Sequence, residues 1–204
     1  MSAAIVLAAG AGTRFLHESH VHKLLVGVHG ARVLDHSVRA AVNAGFDEVI
    51  VVVGCVRPAG IASASRRVRV VDNPRWAEGL ASSLQVGLAA AAAHESVTVG
   101  LGDQPVVGAD AWRLVAAVDL TPISVATYDG ARANPVRLAQ AIWPLLPTSG
   151  DEGARSLMRA QPELVTEVPC VGECLDVDTV EDLRQLELLS APRQTSSGVD
   201  RSFS

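Results

Sequence analysis

Short runs of apolar, often β-branched residues alternate along this chain with longer segments in which apolar residues recur every three or four positions. Residues 3–8 and 48–53 are almost continuously apolar, as strands buried on both faces of a sheet are. Between them, residues 31–44 carry an apolar stripe at helical spacing and stop before Gly45, a residue typical of helix ends. This alternation predicts a parallel sheet covered by helices.

The same alternation continues further along the chain. More strands are predicted at residues 68–72 and 97–101, and more helices at residues 78–93 and 109–118. A last helix is predicted from Thr179 to Leu189. Before it come four closely spaced strand-like segments, which indicate an antiparallel addition to the sheet: residues 123–127, 135–138, 164–168 and 174–177.

Composition narrows the class of protein. The 204 residues are 49% hydrophobic and 19% charged, which permits a large core and excludes intrinsic disorder for most of the chain. Residues 191–204 lack periodicity, so we expect one domain over residues 1–190 and then a disordered tail.

Charge and cysteine content exclude further classes. The formal net charge of −5 offers no field that would attract nucleic acid or an anionic membrane. The three cysteines are too few for a disulfide framework, and we see neither a signal peptide nor an apolar run approaching the about 18 residues of a membrane-spanning helix. We therefore expect a cytoplasmic protein.

The segment after the first strand carries candidate chemistry, because open α/β sheets bind ligands at the carboxyl ends of their strands. Gly10 and Gly12 would let backbone N–H groups approach phosphate oxygens, and Arg14 and Lys23 would add cationic donors. This arrangement predicts a cradle for a triphosphate.

Other interpretations of the glycine segment fit less well. A dinucleotide fingerprint needs a third glycine where Phe15 stands, and the second strand ends in Val53-Gly54 without a ribose-binding acid. No P-loop string exists in the sequence. A simple glycine turn would leave Arg14 and Lys23 without a role.

Two aspartates are candidate ligands for Mg²⁺, which prefers one or two carboxylates together with phosphate oxygens. Asp103 follows a predicted strand and would project toward the glycine segment. Asp178 is our candidate for the second ligand, but Asp176 points to the same face of an extended segment, so spacing leaves that choice open. There are structural alternatives for both residues. Asp103 would form a turn, and Asp178 would stabilise the following helix.

Polar side chains around the third strand and the next helix are candidates for contact with a base or ribose. They are Asn73, Gly79, Ser82 and Ser83. The serines also suit helix capping, and the sequence does not decide between the two roles.

Five strings occur in a defined order: LAAGAGTR with KLL, NPRWAEG with SSL, LGDQP, GDEGAR, and DVDTVEDL. Together they resemble the MobA-like nucleotidyltransferases, above all the molybdenum cofactor cytidylyltransferases. The resemblance implies a three-layer α/β/α, Rossmann-like nucleotidyltransferase fold with a mostly parallel sheet. It also implies transfer of CMP from CTP to a phosphate of molybdopterin, with Mg²⁺ as cofactor and release of pyrophosphate.

The resemblance assigns roles to residues. Arg14, Lys23 and Asp103 would be catalytic, and Asp103 and Asp178 would hold the metal. Asn134, Asp151 and Arg155 would bind the acceptor, although Asp151 and Arg155 also have the spacing of a helical ion pair. The nucleotide would be bound by Leu7, Ala8, Ala9, Gly10, Gly12, Arg14, Lys23, Asn73, Gly79 and Ser83.

Departures from the family pattern keep alternatives open. Lys23 stands nine positions beyond Arg14, which predicts a longer, mobile loop over residues 15–22, and Asn134-Pro135 replaces the His-Pro of many relatives. Ala9, where guanylyltransferases more often have Gly, favours CTP over GTP. The remaining alternatives are GTP as donor, another phosphorylated acceptor such as a sugar phosphate or phosphoenolpyruvate, a non-catalytic molybdopterin carrier, and an oxidoreductase. A molybdenum hydroxylase that receives the product is the expected protein partner.

Histidines and cysteines offer weaker candidates. His17, His20 and His22 lie close together, but a solvated loop explains them better than a metal site. Cys170 and Cys174 are interpreted as reduced thiols.

Overall fold

The computed structural model describes residues 2–61 and 65–189. The predicted tail, residues 191–204, lies outside the described residues. No described helix is long and apolar enough to cross a membrane.

Helices flank a central sheet. The strands are β1 Ser2–Ala8, β2 Gly27–Val28, β3 Ala31–Arg32, β4 Glu48–Val53, β5 Val68–Asp72, β6 Ser96–Leu101, β7 Ile123–Tyr128, β8 Ala131–Ala139 and β9 Val165–Pro169. The helices are α1 Thr13–Ser19, α2 Val33–Ala44, α3 Leu80–Ala90, α4 Ala109–Ala117, α5 Arg155–Ala160 and α6 Val180–Leu189.

Seven strands form the main sheet in the order β5-β4-β1-β6-β8-β7-β9, and β2 pairs with β3 in a short hairpin. Strands β4 and β6 run parallel to β1, and β5 runs parallel to β4. Strand β8 is antiparallel to both β6 and β7, and β9 runs parallel to β7. The predicted fold class, a mostly parallel sheet with a small antiparallel addition, is confirmed.

Strand β1 contributes to an apolar layer on each face of the sheet because its side chains alternate in direction. Ala4, Val6 and Ala8 belong to the layer covered by α2 and α4. Ala3, Ile5 and Leu7 belong to the layer covered by α3. Burial of both faces is what the continuous apolar run of this strand predicts.

Several local predictions were wrong. Helix α1 occupies much of the stretch that we expected to be a loop, because Phe15 buries its side chain in an apolar cluster with residues of α6. Residues 174–177 do not form a strand. Instead Val177 packs in that same cluster and donates its backbone N–H to the carbonyl of Asp103 at 2.9 Å. The segment therefore crosses the end of the sheet without extending it.

Trp112 of α4 packs directly on Gly100 of β6. A Cβ atom at Gly100 would lie 2.7 Å from Cη2 of the Trp112 indole, which is fully buried. We expect Gly100→Ala to lower the free energy of unfolding by about 1–3 kcal/mol, measured by urea denaturation, because the indole must move. Gly27→Ala is the control, since its Cβ would meet nothing within 4 Å. Equal effects of the two substitutions would contradict this packing argument.

Candidate active site

The loop between β1 and α1 passes over the carboxyl end of the sheet. Gly12 adopts φ +60, in the left-handed region, and a Cβ there would lie 3.2 Å from both His22 Nε2 and Lys23 Cγ. Glycine is therefore required here both for the turn and for the close approach of the two side chains.

His22 holds this loop in place. Its Nε2 lies 2.9 Å from the carbonyl oxygen of Gly10, and its Nδ1 accepts the backbone N–H of Leu24 at 3.3 Å. Burial lowers the pKa of His22. Hydrogen bonds to backbone groups raise it again, but only in part. A neutral imidazole that carries its proton on Nε2 satisfies both contacts. Sequence reasoning placed His22 in a solvated loop, which was wrong: His22 is buried, whereas His17 and His20 are exposed.

Lys23 is the centre of an ionic cluster. Its ammonium lies 2.5 Å from Oδ2 of Asp103 and 2.7 Å from Oδ1 of Asp178. Arg14 pairs with the other oxygen of Asp178, also at 2.7 Å. Burial lowers the pKa of Lys23, but the two carboxylates more than offset this, so the pKa is raised overall. Lys23 is therefore charged at neutral pH.

Two chain segments bring the carboxylates together. Asp103 follows β6, and Asp178 lies in the turn before α6. The carboxylate of Asp182 accepts the backbone N–H groups of Asp178 and Thr179 at 3.0 and 2.7 Å, which caps α6 and holds that turn. The bond from Val177 to the carbonyl of Asp103 ties the two segments to each other.

The residues present fit a divalent cation. Oδ1 of Asp103 is buried and has no hydrogen-bond partner among the described residues, and Asp178 contacts the same ammonium. Carboxylate oxygens are the ligands that Mg²⁺ prefers. Asp176 is instead bound to Gln104, whose Nε2 donates to it at 2.6 Å. Of the two aspartates that spacing could not separate, the structure thus brings Asp178 to the cluster.

A cavity of about 440 Å³ opens beside this cluster. It is lined by eight of the ten residues predicted to bind nucleotide, namely Leu7, Ala8, Ala9, Gly10, Gly12, Lys23, Gly79 and Ser83. Trp76, Ala77 and Asp151 also line it, and no sequence signal distinguished Trp76 from a packing residue. Arg14 does not line the cavity, because its guanidinium is turned to Asp178.

Asn73 lies behind the cavity wall, not on its surface. It is 1% exposed, and its Nδ2 donates to the hydroxyls of Ser82 and Ser83 at 2.9 and 3.0 Å. Ser82 donates in turn to main-chain carbonyls of the preceding turn. Asn73 and Ser82 therefore position the start of α3, and Ser83 is the member of this group that lines the cavity.

A second cavity, of about 210 Å³, shares the wall residues Leu7, Leu80 and Leu101 with the first. Asn134 and Arg155 line it, as expected of residues that bind an acceptor next to the nucleotide. Asp151 lines the first cavity instead. The alternative of a helical ion pair does not apply, because Asp151 precedes α5 and no ion pair joins it to Arg155 in the described part of the chain.

The glycine loop at the end of β1, the lysine that contacts two carboxylates and the two adjoining cavities thus lie at one edge of the sheet. The MobA-like NTP transferase domain matches residues 4–165, and the chain belongs to this family.

Relatives extend over nearly the whole chain. Nicotine blue oxidoreductase of Paenarthrobacter nicotinovorans is 32% identical over 195 residues, which are 89% of this chain and 94% of that protein. Among solved structures, a nucleotidyl transferase from Methanothermobacter thermautotroptrophicus has a TM-score of 0.80 at 26% identity, over 93% of this chain and 97% of the other. Rv0371c of Mycobacterium tuberculosis H37Rv, in complex with manganese, has a TM-score of 0.70 at 28% identity, over 92% and 97%.

Lys23→Met should destabilise the protein because two carboxylates would then share a largely buried site with less compensating charge. We expect the free energy of unfolding to fall by about 2 kcal/mol at pH 7, below the range for fully buried pairs because Asp178 is partly exposed. Since the pKa of Lys23 is raised above its ordinary 10.5, this stabilisation is fully present below pH 10.5 and is lost as pH rises through the folded-state pKa.

Urea denaturation of the wild type and the variant at pH 7, and at a series of pH values above 10.5, measures both effects, and the difference between the two proteins should shrink along that series. Arg57→Met removes an exposed ion pair to Asp72 and is the matched control, with an expected loss below about 1 kcal/mol. A Lys23→Met variant as stable as the wild type at pH 7 would contradict the structural importance of the cluster.

Proposed function

We propose that the protein transfers CMP from CTP to a phosphate of a molybdopterin acceptor, with Mg²⁺ as cofactor and release of pyrophosphate. The observation that carries this proposal is the ionic cluster: Lys23 lies between Asp103 and Asp178 at the edge of a cavity formed by the glycine loop. The manganese in the Rv0371c complex supports a divalent cation. The family resemblance supports the choice of donor and acceptor.

The chain's own residues would act mainly by positioning and by charge neutralisation, since phosphoryl-type transfer requires little covalent chemistry of a protein. Backbone groups at Gly10 and Gly12 would face the triphosphate, and Lys23 would neutralise its oxygens. Arg14 would join Lys23 there by turning from Asp178 toward the cavity. Asp103 and Asp178 would hold Mg²⁺, which when bound supplies positive charge to the phosphates and the departing pyrophosphate.

The two cavities fit a reaction between two bound substrates. A phosphate oxygen of the acceptor attacks the α-phosphorus of CTP, the bond from that phosphorus to the bridging oxygen breaks, and pyrophosphate leaves with the electron pair. Arg155 lines the acceptor cavity and makes no ion pair among the described residues, so its charge is available to an acceptor phosphate. The cytidylylated product would pass to a molybdenum hydroxylase.

A second candidate function is an oxidoreductase that uses a nicotinamide dinucleotide. The 32% identity with nicotine blue oxidoreductase favours it, and a glycine loop can also hold the diphosphate of a dinucleotide. The cluster of Lys23 with two carboxylates argues against it, because hydride transfer gives these groups no role. A thermal-shift comparison separates the two: CTP with Mg²⁺ should raise the melting temperature, and NADPH should not.

Asp103→Asn should still fold, because Asp178 continues to pair with Lys23. It should lose most of its metal-dependent activity, because an amide carries no charge and binds Mg²⁺ weakly. We expect CMP transfer, measured as pyrophosphate release, to fall more than tenfold, or about 1.4 kcal/mol in activation free energy. Mn²⁺ binding followed by electron paramagnetic resonance should weaken in parallel. Asp119→Asn, at an exposed position, is the control. If Asp103→Asn turned over at the wild-type rate, Asp103 would not be a ligand of the metal.

CTP should be a better donor than GTP because a purine needs a longer slot and the methyl group of Ala9, which lines the cavity, narrows it. A methyl contact is worth about 1–3 kcal/mol, or roughly 10–200-fold in kcat/KM. We expect Ala9→Gly to reduce this preference and Ala11→Gly, at another lining position, to leave it unchanged. Equal or higher kcat/KM with GTP in the wild type would refute the cytidylyl assignment but not the metal site.

A further inference from the structure

Three polar side chains form a hydrogen-bonded chain that leads from the metal-binding edge to the second cavity. Nε2 of Gln104 donates to Oδ1 of Asp176 at 2.6 Å. Nδ2 of Asn134 donates to Oε1 of Gln104 at 3.1 Å. Gln104 is 4% exposed, so both ends of its amide are satisfied inside the protein.

A β-bulge places Asn134 at this position. Ala133 of β8 pairs with Ala126 of β7, but the next pair is Val136 with Val125, so two residues of β8 stand opposite no partner. Pairing of β8 with β6 begins only at Val136. Bulges of this kind redirect side chains, and Asn134 lines the second cavity.

The carboxylate of Asp176 determines which atom of each amide in this hydrogen-bonded series donates and which accepts. Nε2 of Gln104 faces the carboxylate of Asp176, so the NH₂ group of Gln104 donates there and its oxygen accepts from Asn134. Asn134 must then present its own NH₂ group to Gln104. The reverse orientation of either amide would place two acceptor oxygens in contact, at 2.6 Å in one case and 3.1 Å in the other.

The carbonyl oxygen of Asn134 is consequently the group left for a ligand. It has no hydrogen-bond partner among the residues that the structure describes. Apolar side chains, including Leu7, Leu84 and Val125, form much of the surrounding wall. Arg132, Glu152, Arg155 and Arg159 also line the cavity. A fixed acceptor at Asn134 selects a ligand that presents a hydrogen-bond donor to it.

We propose that Asn134, oriented through Gln104 by Asp176, selects ligands of the second cavity that present an N–H donor to its carbonyl oxygen. Asn134 is the specificity-determining residue, and Gln104 and Asp176 are positioning residues. The proposal rests on the proposed function only in identifying this ligand with the acceptor. The selection of an N–H donor itself follows from the orientation of the amides.

The test compares two probes of equal size and shape, indole, which has an N–H donor, and benzofuran, which has none. Their dissociation constants are measured by NMR titration of the full chain without CTP or metal. We expect indole to bind the wild type about tenfold more tightly, which is the effect of about one neutral hydrogen bond. Because no transfer is measured, this result does not depend on the proposed reaction.

Variants locate the effect. Asn134→Leu should abolish the preference and retain the affinity for benzofuran. Asp176→Asn removes the group that sets the direction, so both amides can reverse and the preference should fall to threefold or less. Gln104→Met provides a second test of the same step if Asp176→Asn fails to fold. Asn43→Leu, at an exposed position, is the control and should leave the preference unchanged.

Several results would overturn the proposal. They are equal affinity of the wild type for the two probes, absence of binding by both, or a preference that survives in Asn134→Leu. A tenfold preference that persists in both Asp176→Asn and Gln104→Met would show that Asn134 is not oriented through this chain. A variant that merely loosens the structure would weaken the binding of both probes equally and leave the ratio of their dissociation constants unchanged.

Discussion

The contact of one ammonium group with two carboxylates organises the whole ligand-binding edge of this protein. Lys23 lies 80 residues from Asp103 and 155 residues from Asp178 in the sequence. Two carboxylates in a site largely closed to water repel each other unless a cation lies between them. The glycine loop, the end of β6 and the turn before α6 are therefore held together by charge as well as by apolar packing. The same carboxylates that stabilise the folded chain are those that suit a divalent cation.

Much of this arrangement could be predicted from sequence because it follows from local patterns. The apolar run of β1 indicates burial on both faces, and the topology rule for open sheets then places Gly10, Gly12 and Asp103 at one edge. The alternation of strands and helices along the chain, and the presence of an antiparallel addition, follow from the spacing of apolar segments. The order of the strands within the sheet does not. The predictable features depend on neighbours in sequence, which a single chain displays directly.

Other features depend on contacts between distant residues. Helix α1 has no clear pattern of its own and depends on the burial of Phe15 against α6. His22 resembled a solvated histidine because its partner is a main-chain carbonyl, which no side-chain motif reveals. Asparagine is a residue type that often contacts ligands, but Asn73 lies behind the cavity wall and donates hydrogen bonds to two serines. Only the structure separates a side chain that lines a cavity from one that supports its wall.

The position of β8 has a consequence for how such proteins diversify. The cavity assigned to the nucleotide is built largely from residues 7–103, whereas most of the lining of the second cavity comes from residues 125–159. Strand β8 is the antiparallel strand at which the second segment joins the parallel half of the sheet. Substitutions, insertions or a shifted bulge in that segment can reshape one cavity while the glycine loop and its ionic cluster stay intact. One cavity can thereby change its shape and chemistry while the residues that form the other are kept.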